Sequence, residues 1–299
     1  MIIRGKLFEW GARTYLMGIL NVTPDSFSDG GEFSSIKAAV IQARRMVAAG
    51  ADIIDIGGQS TRPGSSQITL QQELDRVLPV INQIRQGPDE WAVSGACRVL
   101  QDKSMRKTLA EMPISIDTTR AEVAYRAIAL GADIVNDISG GTFDPDMFSV
   151  VAQKQVPTIL MHIRGTPQTM QKMTDYEDLI GEIYGFLEGR IDAAVEAGIE
   201  RSRLIVDPGI GFAKTGAQNL EIFRQMSRFR ALGVPILVGP SRKSFIGHLL
   251  HRPTDPKGRV WGTAAACVGA IAGGADILRV HDVAEMRDVC RVADAIFRG

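Results

Sequence analysis

The sequence predicts a (βα)8 barrel of the TIM type, carried on a single domain spanning residues 1–299, with a short N-terminal hairpin. Three observations predict it. Eight short apolar runs each end in a polar cluster, and amphipathic stretches lie between them. One junction, an amphipathic stretch followed by Gly-Ala-Asp and then an apolar run, occurs three times, at Gly50 to Ile54, Gly131 to Val135 and Gly274 to Leu278. Glycine there is a helix C-cap, and an Ile/Val run without alternation suits a parallel strand buried on both faces. Eight strands alternating with helices favour the closed barrel over an open doubly wound sheet, and no Gly-x-Gly-x-x-Gly follows the first strand.

The elements follow in order. Residues 2–10 form a hairpin around Arg4-Gly5 that plugs the barrel floor. The expected strands are Tyr15 to Leu20, Ile53 to Ile56, Ile114 to Ile116, Ile134 to Val135, Thr158 to Met161, Leu204 to Val206, Ile236 to Val238 and Ile277 to Val280. Ile36, Ala39, Val40, Ala43, Met46 and Val47 follow helical spacing, closed by Gly50. Similar patterns predict helices over 70–84, 121–130, 176–197, 217–232 and 284–297. The uncharged run from Val260 to Ala275 reads as a buried helix. One connection, 86–112, is long, with an extra helix expected around 98–110; joining a helix to the next strand, it belongs to the stability face and carries no chemistry.

Composition narrows the function. The chain has 34 basic and 34 acidic side chains, so it lacks the positive footprint of a nucleic-acid binder. Its longest uncharged run is too short for a membrane span, and the N-terminus lacks the apolar stretch of a secretory signal. Cys97, Cys267 and Cys290 are an odd number without a close pair, which favours a reducing compartment and hence the cytoplasm.

In a barrel the chemistry sits at the C-terminal ends of the strands. Around that rim the sequence places Asn21, Gln59 to Arg62, Asp117, Asn136 with Asp137, His162 with Arg164, Asp207, Ser241 to Lys243, Arg279 and His281. Arg62, Lys243, Arg279 and His281, with Ser241 at a helix start, form a set suited to phosphate oxygens. Asn21 offers one neutral oxygen to Mg²⁺, which takes other ligands from water and substrate phosphates. Asp117, Asn136 and Asp207 suit a flat ring carrying amidine-like N–H donors. Loops 22–34 and 57–67 read as lids. Taken singly, Asp117 or Asp207 is equally a helix cap, Arg279 and His281 form a surface pair with Asp282, and Lys243 is a Schiff-base nucleophile. Convergence of all of them on one face favours a site.

The stretch Met17-Gly-Ile-Leu-Asn-Val-Thr-Pro-Asp-Ser-Phe-Ser-Asp-Gly-Gly31 and the stretch Asp55-Ile-Gly-Gly-Gln-Ser-Thr-Arg-Pro-Gly64 resemble the two signatures of the dihydropteroate synthase family. Ile116 to Thr118, Asn136 to Ile138, Met161-His162, Asp207 to Phe212, Ser241 to Ser244 and Arg279 to Asp282 match in order. Gln59 stands where many members have Glu, and the 86–112 segment exceeds the usual connection.

The resemblance implies a cytoplasmic (βα)8 enzyme of folate synthesis, dependent on Mg²⁺, that joins 6-hydroxymethyl-7,8-dihydropterin diphosphate to 4-aminobenzoate. Asp117, Asn136, Met161, Asp207, Phe212 and Lys243 would hold the pterin, and Asn21, Arg62, Arg279 and His281 the diphosphate. Thr61, Pro63, Phe212 and Ser241 would shape the aminobenzoate pocket, where sulfonamides compete in this family. Asp117, Lys243 and Arg62 would lie nearest the reaction. The partners implied are these small molecules and a second copy in a homodimer paired through late helices, with no nucleic acid and no membrane. A pterin-binding methyltransferase domain would not need the Arg/His set, an aldolase would use Lys243 covalently, and a non-catalytic paralogue would have lost Arg62, Lys243 or Arg279.

Overall fold

In the computed structural model, which describes residues 1–23, 32–86 and 108–299, β1 (Ile2–Ile3) and β2 (Lys6–Leu7) form an antiparallel hairpin. Arg4 and Gly5, at φ +46° and +71°, make the two-residue turn. Eight parallel strands follow: β3 (Tyr15–Asn21), β4 (Ile53–Gly57), β5 (Ile114–Asp117), β6 (Ile134–Asp137), β7 (Thr158–Met161), β8 (Leu204–Asp207), β9 (Leu237–Val238) and β10 (Ile277–Val280). Their order is β8-β7-β6-β5-β4-β3-β10-β9, and a parallel bridge from Val206 to Ile236 completes the ring. Around it run α1 (Glu32–Ala49), α2 (Leu70–Gln86), α3 (Ala121–Ala129), α4 (Met147–Lys154), α5 (Leu179–Glu196), α6 (Gly216–Arg224), α7 (Ser244–Leu249), α8 (Val260–Ala272) and α9 (Val283–Phe297).

Strand register explains why the apolar runs end in polar residues. Side chains two apart on a strand share a face. Ile53, Ile134, Ile159, Ile205 and Ile277 point into the barrel and pack with Ile3 and Phe8 of the hairpin arm, which seal the floor. Two residues on, the same inward columns carry Asp55, Asn136, Met161, Asp207 and Arg279. The alternate column, including Ile54, Ile56, Ile116, Val135, Leu160, Val206 and Leu278, packs outward against the helices. Several strands reach one or two residues further than their apolar runs, so Asn21, Asp117, Asn136 and Asp207 belong to the hydrogen-bonded ladder itself.

The repeated Gly-Ala-Asp junction has one physical reason at all three sites. Gly50, Gly131 and Gly274 take φ of +101°, +106° and +97°, the left-handed conformation that ends a helix. The aspartate then accepts a backbone N–H at the start of a neighbouring strand: Asp52 from Leu16 at 2.9 Å, Asp133 from Ile114 at 2.8 Å and Asp276 from Ile236 at 3.0 Å. Arginines neutralise two of them closely, Arg13 on Asp52 and Arg4 with Arg85 on Asp133. Asp133→Ala is expected to cost about 3 kcal/mol, because it strands the Ile114 N–H and two guanidinium groups; denaturant unfolding measures it, and a loss below about 0.5 kcal/mol would refute the bracket role.

Two expected helices differ. The pattern over 217–232 breaks after α6 into a 3-10 turn, Met226–Leu232, in which Met226, Phe229 and Leu232 recur every third residue and so bury one face of a three-per-turn helix. The 260–275 run is not buried all round: α8 buries Thr263, Ala264, Cys267, Ala270 and Ile271 and leaves Trp261 76% exposed. Residues 24–31 of the first expected lid, and residues 87–107 with Cys97 and most of the extra helix, lie outside the described residues. Among the described residues no helix is long and apolar enough to cross a membrane.

Candidate active site

Asn21, Gly57, Asp117 and Asn136 are in register across β3 to β6 and face the same way. Gly57 contributes no side chain, and a Cβ there would sit 3.4 Å from the Asp117 side chain. The space above Asp117 therefore stays open. Below Gly57 on the inward column lies Asp55, fully buried.

From β10, Arg279 reaches to both carboxylates. Its Nε donates to Asp55 Oδ2 at 2.6 Å and its Nη2 to Asp117 Oδ2 at 2.7 Å. Asn136 Nδ2 donates to the same Asp55 oxygen at 3.2 Å, while the other Asp55 oxygen is buried without a partner among the described residues. Arg279 is thus in direct contact with two buried carboxylates of this end of the barrel. Asp55 went unassigned in the sequence because it sits inside an apolar run; a carboxylate within a strand buried on both faces was the available signal.

Burial dominates the electrostatics. It pushes the Asp117 carboxyl up to about 7, against the pull of Arg279, and the Asp207 carboxyl up to about 6, although Asp207 Oδ1 accepts the Gly209 N–H at 2.7 Å. Lys243 is drawn down to about 8 by burial and by Arg279, with Asp207 and Asp117 opposing. Its Nζ lies 4.1 Å from the centroid of the Phe212 ring, and its stem crosses Gly211, whose missing Cβ would meet Lys243 Cδ at 2.9 Å. Phe212 packs with Met161, Ile138, Ile163 and Met170 into an apolar wall beside the carboxylates.

On the other side of the mouth, Ser241 and His281 meet. The His281 backbone N–H donates to Ser241 Oγ at 3.2 Å, and that hydroxyl lies 3.0 Å from His281 Nδ1. Burial, with Arg242 and Arg279 nearby, draws His281 down to about 3, so the ring is neutral. With Nδ1 accepting the Ser241 hydroxyl proton, the ring proton sits on Nε2 and is available to an anion. Arg242 turns away and pairs with Asp282, so the alternative reading of Arg279 and His281 as a surface pair with Asp282 does not hold.

Thr61 is half-buried, while Arg62 and Pro63 are exposed on a loop tied down by the Gly64 N–H on the Pro167 carbonyl at 3.0 Å. Asp137 does not join the site; it accepts from Ser139 and Gly141 and caps its own loop. Arg164 pairs with Glu182 and stacks over Tyr176. Among the described residues no cluster of three or more His, Cys, Asp or Glu side chains could hold a metal ion.

The geometry is that of an α/β barrel whose strand ends carry buried carboxylates bridged by an arginine beside an apolar wall. The pterin-binding enzyme family matches residues 17–94 and 97–281. The chain is 56% identical over 292 residues to a dihydropteroate synthase of Synechocystis sp., covering 98% of this chain and 93% of that one. It superposes on a dihydropteroate synthase of Clostridium difficile crystallised in the presence of pteroic acid with a TM-score of 0.85 at 42% identity, over 98% of this chain and 100% of that one. For the enzyme of Xanthomonas albilineans in complex with 7,8-dihydropteroate the TM-score is 0.79 at 38% identity, over 96% and 95% of the two chains. It also spans 52% of a mitochondrial folate synthesis bifunctional protein of Arabidopsis thaliana, at 44% identity over 99% of this chain. The chain belongs to the pterin-binding enzyme family, and within it to the dihydropteroate synthases.

Proposed function

We propose that this rim carries out the dihydropteroate synthase reaction with the roles set out here. The chain is a transferase of folate biosynthesis, condensing 6-hydroxymethyl-7,8-dihydropterin diphosphate with 4-aminobenzoate to give 7,8-dihydropteroate and diphosphate. One observation carries the assignment of roles: Asp117, Asn136 and Asp207 converge beside an apolar wall, with Arg279 bridging from Asp117 toward the rim that holds His281. The carboxylates and the Asn136 amide accept and donate to the pterin edge, Met161 and Phe212 enclose its faces, and Lys243 closes one side.

The C–O bond between the exocyclic methylene and the diphosphate breaks as that carbon develops positive charge delocalised into the dihydropterin ring, and the aminobenzoate nitrogen then forms the new C–N bond to the methylene and loses a proton to solvent. Asp117 stabilises the cationic ring, while Arg62, Arg279 and His281 hold the departing anion. Thr61, Pro63, Phe212 and Ser241 position the aryl amine, a weak nucleophile for which placement matters more than a base. Asn21 is a fitting single protein ligand for Mg²⁺, since the donor set has no carboxylate cage and the substrate brings its own oxygens. When bound, the ion neutralises diphosphate charge.

The direct test is diphosphate release from the pterin substrate with and without 4-aminobenzoate and Mg²⁺. Release in step with dihydropteroate, and dependent on both additions, is expected; diphosphate release without condensation would overturn the assignment. The rate should also follow a narrow bell in pH. Asp117 acts as a carboxylate, so kcat/KM for the pterin diphosphate rises with pH through about 7, and it falls above about 8 as Lys243 loses its proton. Asp117→Asn should move the acidic limb down toward about 6, where Asp207 titrates, and an unchanged limb would remove Asp117 from that role.

The same reading places the catalytic domain, residues 1–299, in the cytoplasm as a homodimer. Trp261 on α8 and Val292 and Ile296 on α9 present large apolar side chains on two helices that pack together, with Val292 and Ile296 62% and 66% exposed. Sedimentation of Trp261→Glu should show monomer where the parent chain sediments as a dimer; an unchanged sedimentation coefficient would exclude this face.

A further inference from the structure

One buried cation has no part in the reaction. Lys214 is almost wholly buried and forms no salt bridge among the described residues; burial draws its ammonium down to about 7, with Asp207 opposing. An ammonium in that setting is expensive to bury unless its protons are used. Two are: Nζ donates to the Phe212 carbonyl at 2.8 Å and lies 3.0 Å from His162 Nδ1. Burial draws His162 down to about 2, so its ring is neutral and Nδ1 accepts. His162 follows β7 and Phe212 stands in the loop after β8, so this lysine ties two neighbouring strand ends together.

The loop between them is tightly determined. Gly209 and Gly211 take φ of +74° and +82°, and Ala213, though it has a side chain, takes +51°. A Cβ on Gly209 would overlap the His162 carbonyl oxygen and come within 3.2 Å of Lys214 Nζ. Tyr176 donates its hydroxyl to the Ala213 carbonyl at 3.0 Å, and the Gly211 N–H donates to Asn219 Oδ1 at 2.6 Å. The loop starts from Asp207, whose carboxylate accepts from Gly209, and carries Phe212. Both groups are ring contacts in the function proposed above.

We propose that Lys214 is a positioning residue of the pterin pocket: through its hydrogen bonds to His162 Nδ1 and the Phe212 carbonyl it holds the 208–213 loop where Asp207 and Phe212 grip the ring. The inference rests on the proposed function. A lysine that only supports the fold would move the melting temperature and leave ring affinity alone.

The test titrates a fluorescent pterin, 6-hydroxymethylpterin, into the full chain and its variants, with the melting temperature recorded for each. His162→Asn keeps an acceptor near the place of Nδ1, whereas His162→Leu removes it. His162→Leu and Lys214→Met are expected to weaken pterin binding at least tenfold, with KM for the pterin diphosphate rising more than kcat falls. His162→Asn should recover most of the affinity, and the His162→Leu/Lys214→Met double variant should bind no worse than the weaker single one. Should Lys214→Met not fold, the His162 pair decides. Equal binding by His162→Leu and the parent chain, or equal weakness of His162→Asn and His162→Leu, overturns the inference. A parent chain that binds no pterin overturns the functional reading and this inference with it.

Discussion

Asp117→Asn is expected to lower kcat about a thousandfold while changing the affinity for diphosphate little. A unit charge pair about 4 Å apart at an effective dielectric near 20 interacts by about 4 kcal/mol, and that is a factor of roughly a thousand when it is realised only in the transition state. Asparagine keeps the shape and can still accept from Arg279, so the fold is retained and the missing quantity is charge. Steady-state kinetics beside equilibrium diphosphate binding separate the two effects. Equal losses in turnover and in ground-state binding would reduce Asp117 to a substrate contact.

Arg279→Ala and His281→Ala should part company. On sequence grounds alone both belong to the diphosphate end and both would spare binding of the dephosphorylated pterin. The contacts of Arg279 with Asp55 and Asp117 change that expectation. Its removal leaves two buried carboxylates without their cation, a loss of about 3–5 kcal/mol that should lower the melting temperature by about 10 °C. It also lifts the Asp117 carboxyl further above the usual range, so less of it is ionised near neutrality and pterin binding weakens as well. His281→Ala should raise KM for the pterin diphosphate with little change in melting temperature or in pterin affinity. Calorimetric titration of pterin and diphosphate separately against both variants decides. If Arg279→Ala binds pterin as the parent chain does, the bridge has no function in the ring site.

The barrel was legible because parallel strands buried on both faces leave unbroken Ile/Val runs and because the Gly-Ala-Asp junction repeats. The rim was legible for a related reason: each run stops being apolar where its inward column leaves the packed floor. Asp55 escaped because it lies one step lower in such a column; a carboxylate inside an apolar run signals a buried partner, but the run does not say that the partner is an arginine 224 residues away. Lys214 escaped because a lysine near glycines reads as solvated; its burial depends on a histidine from another strand. The split of the 217–232 helix escaped because a spacing of three, continued for only two steps, is read equally well as α-helical.

Ile3 and Phe8 close the lower opening of the ring, so the tube is blind. Whatever goes in must come out by the same door. A molecule lying against Asp55, Asp117 and Asn136 occupies the dead end, and anything resting on Thr61 and Pro63 stands in its way out. Loading is therefore expected to run pterin diphosphate first and aminobenzoate second, and the joined product has to leave through the mouth by which both parts entered.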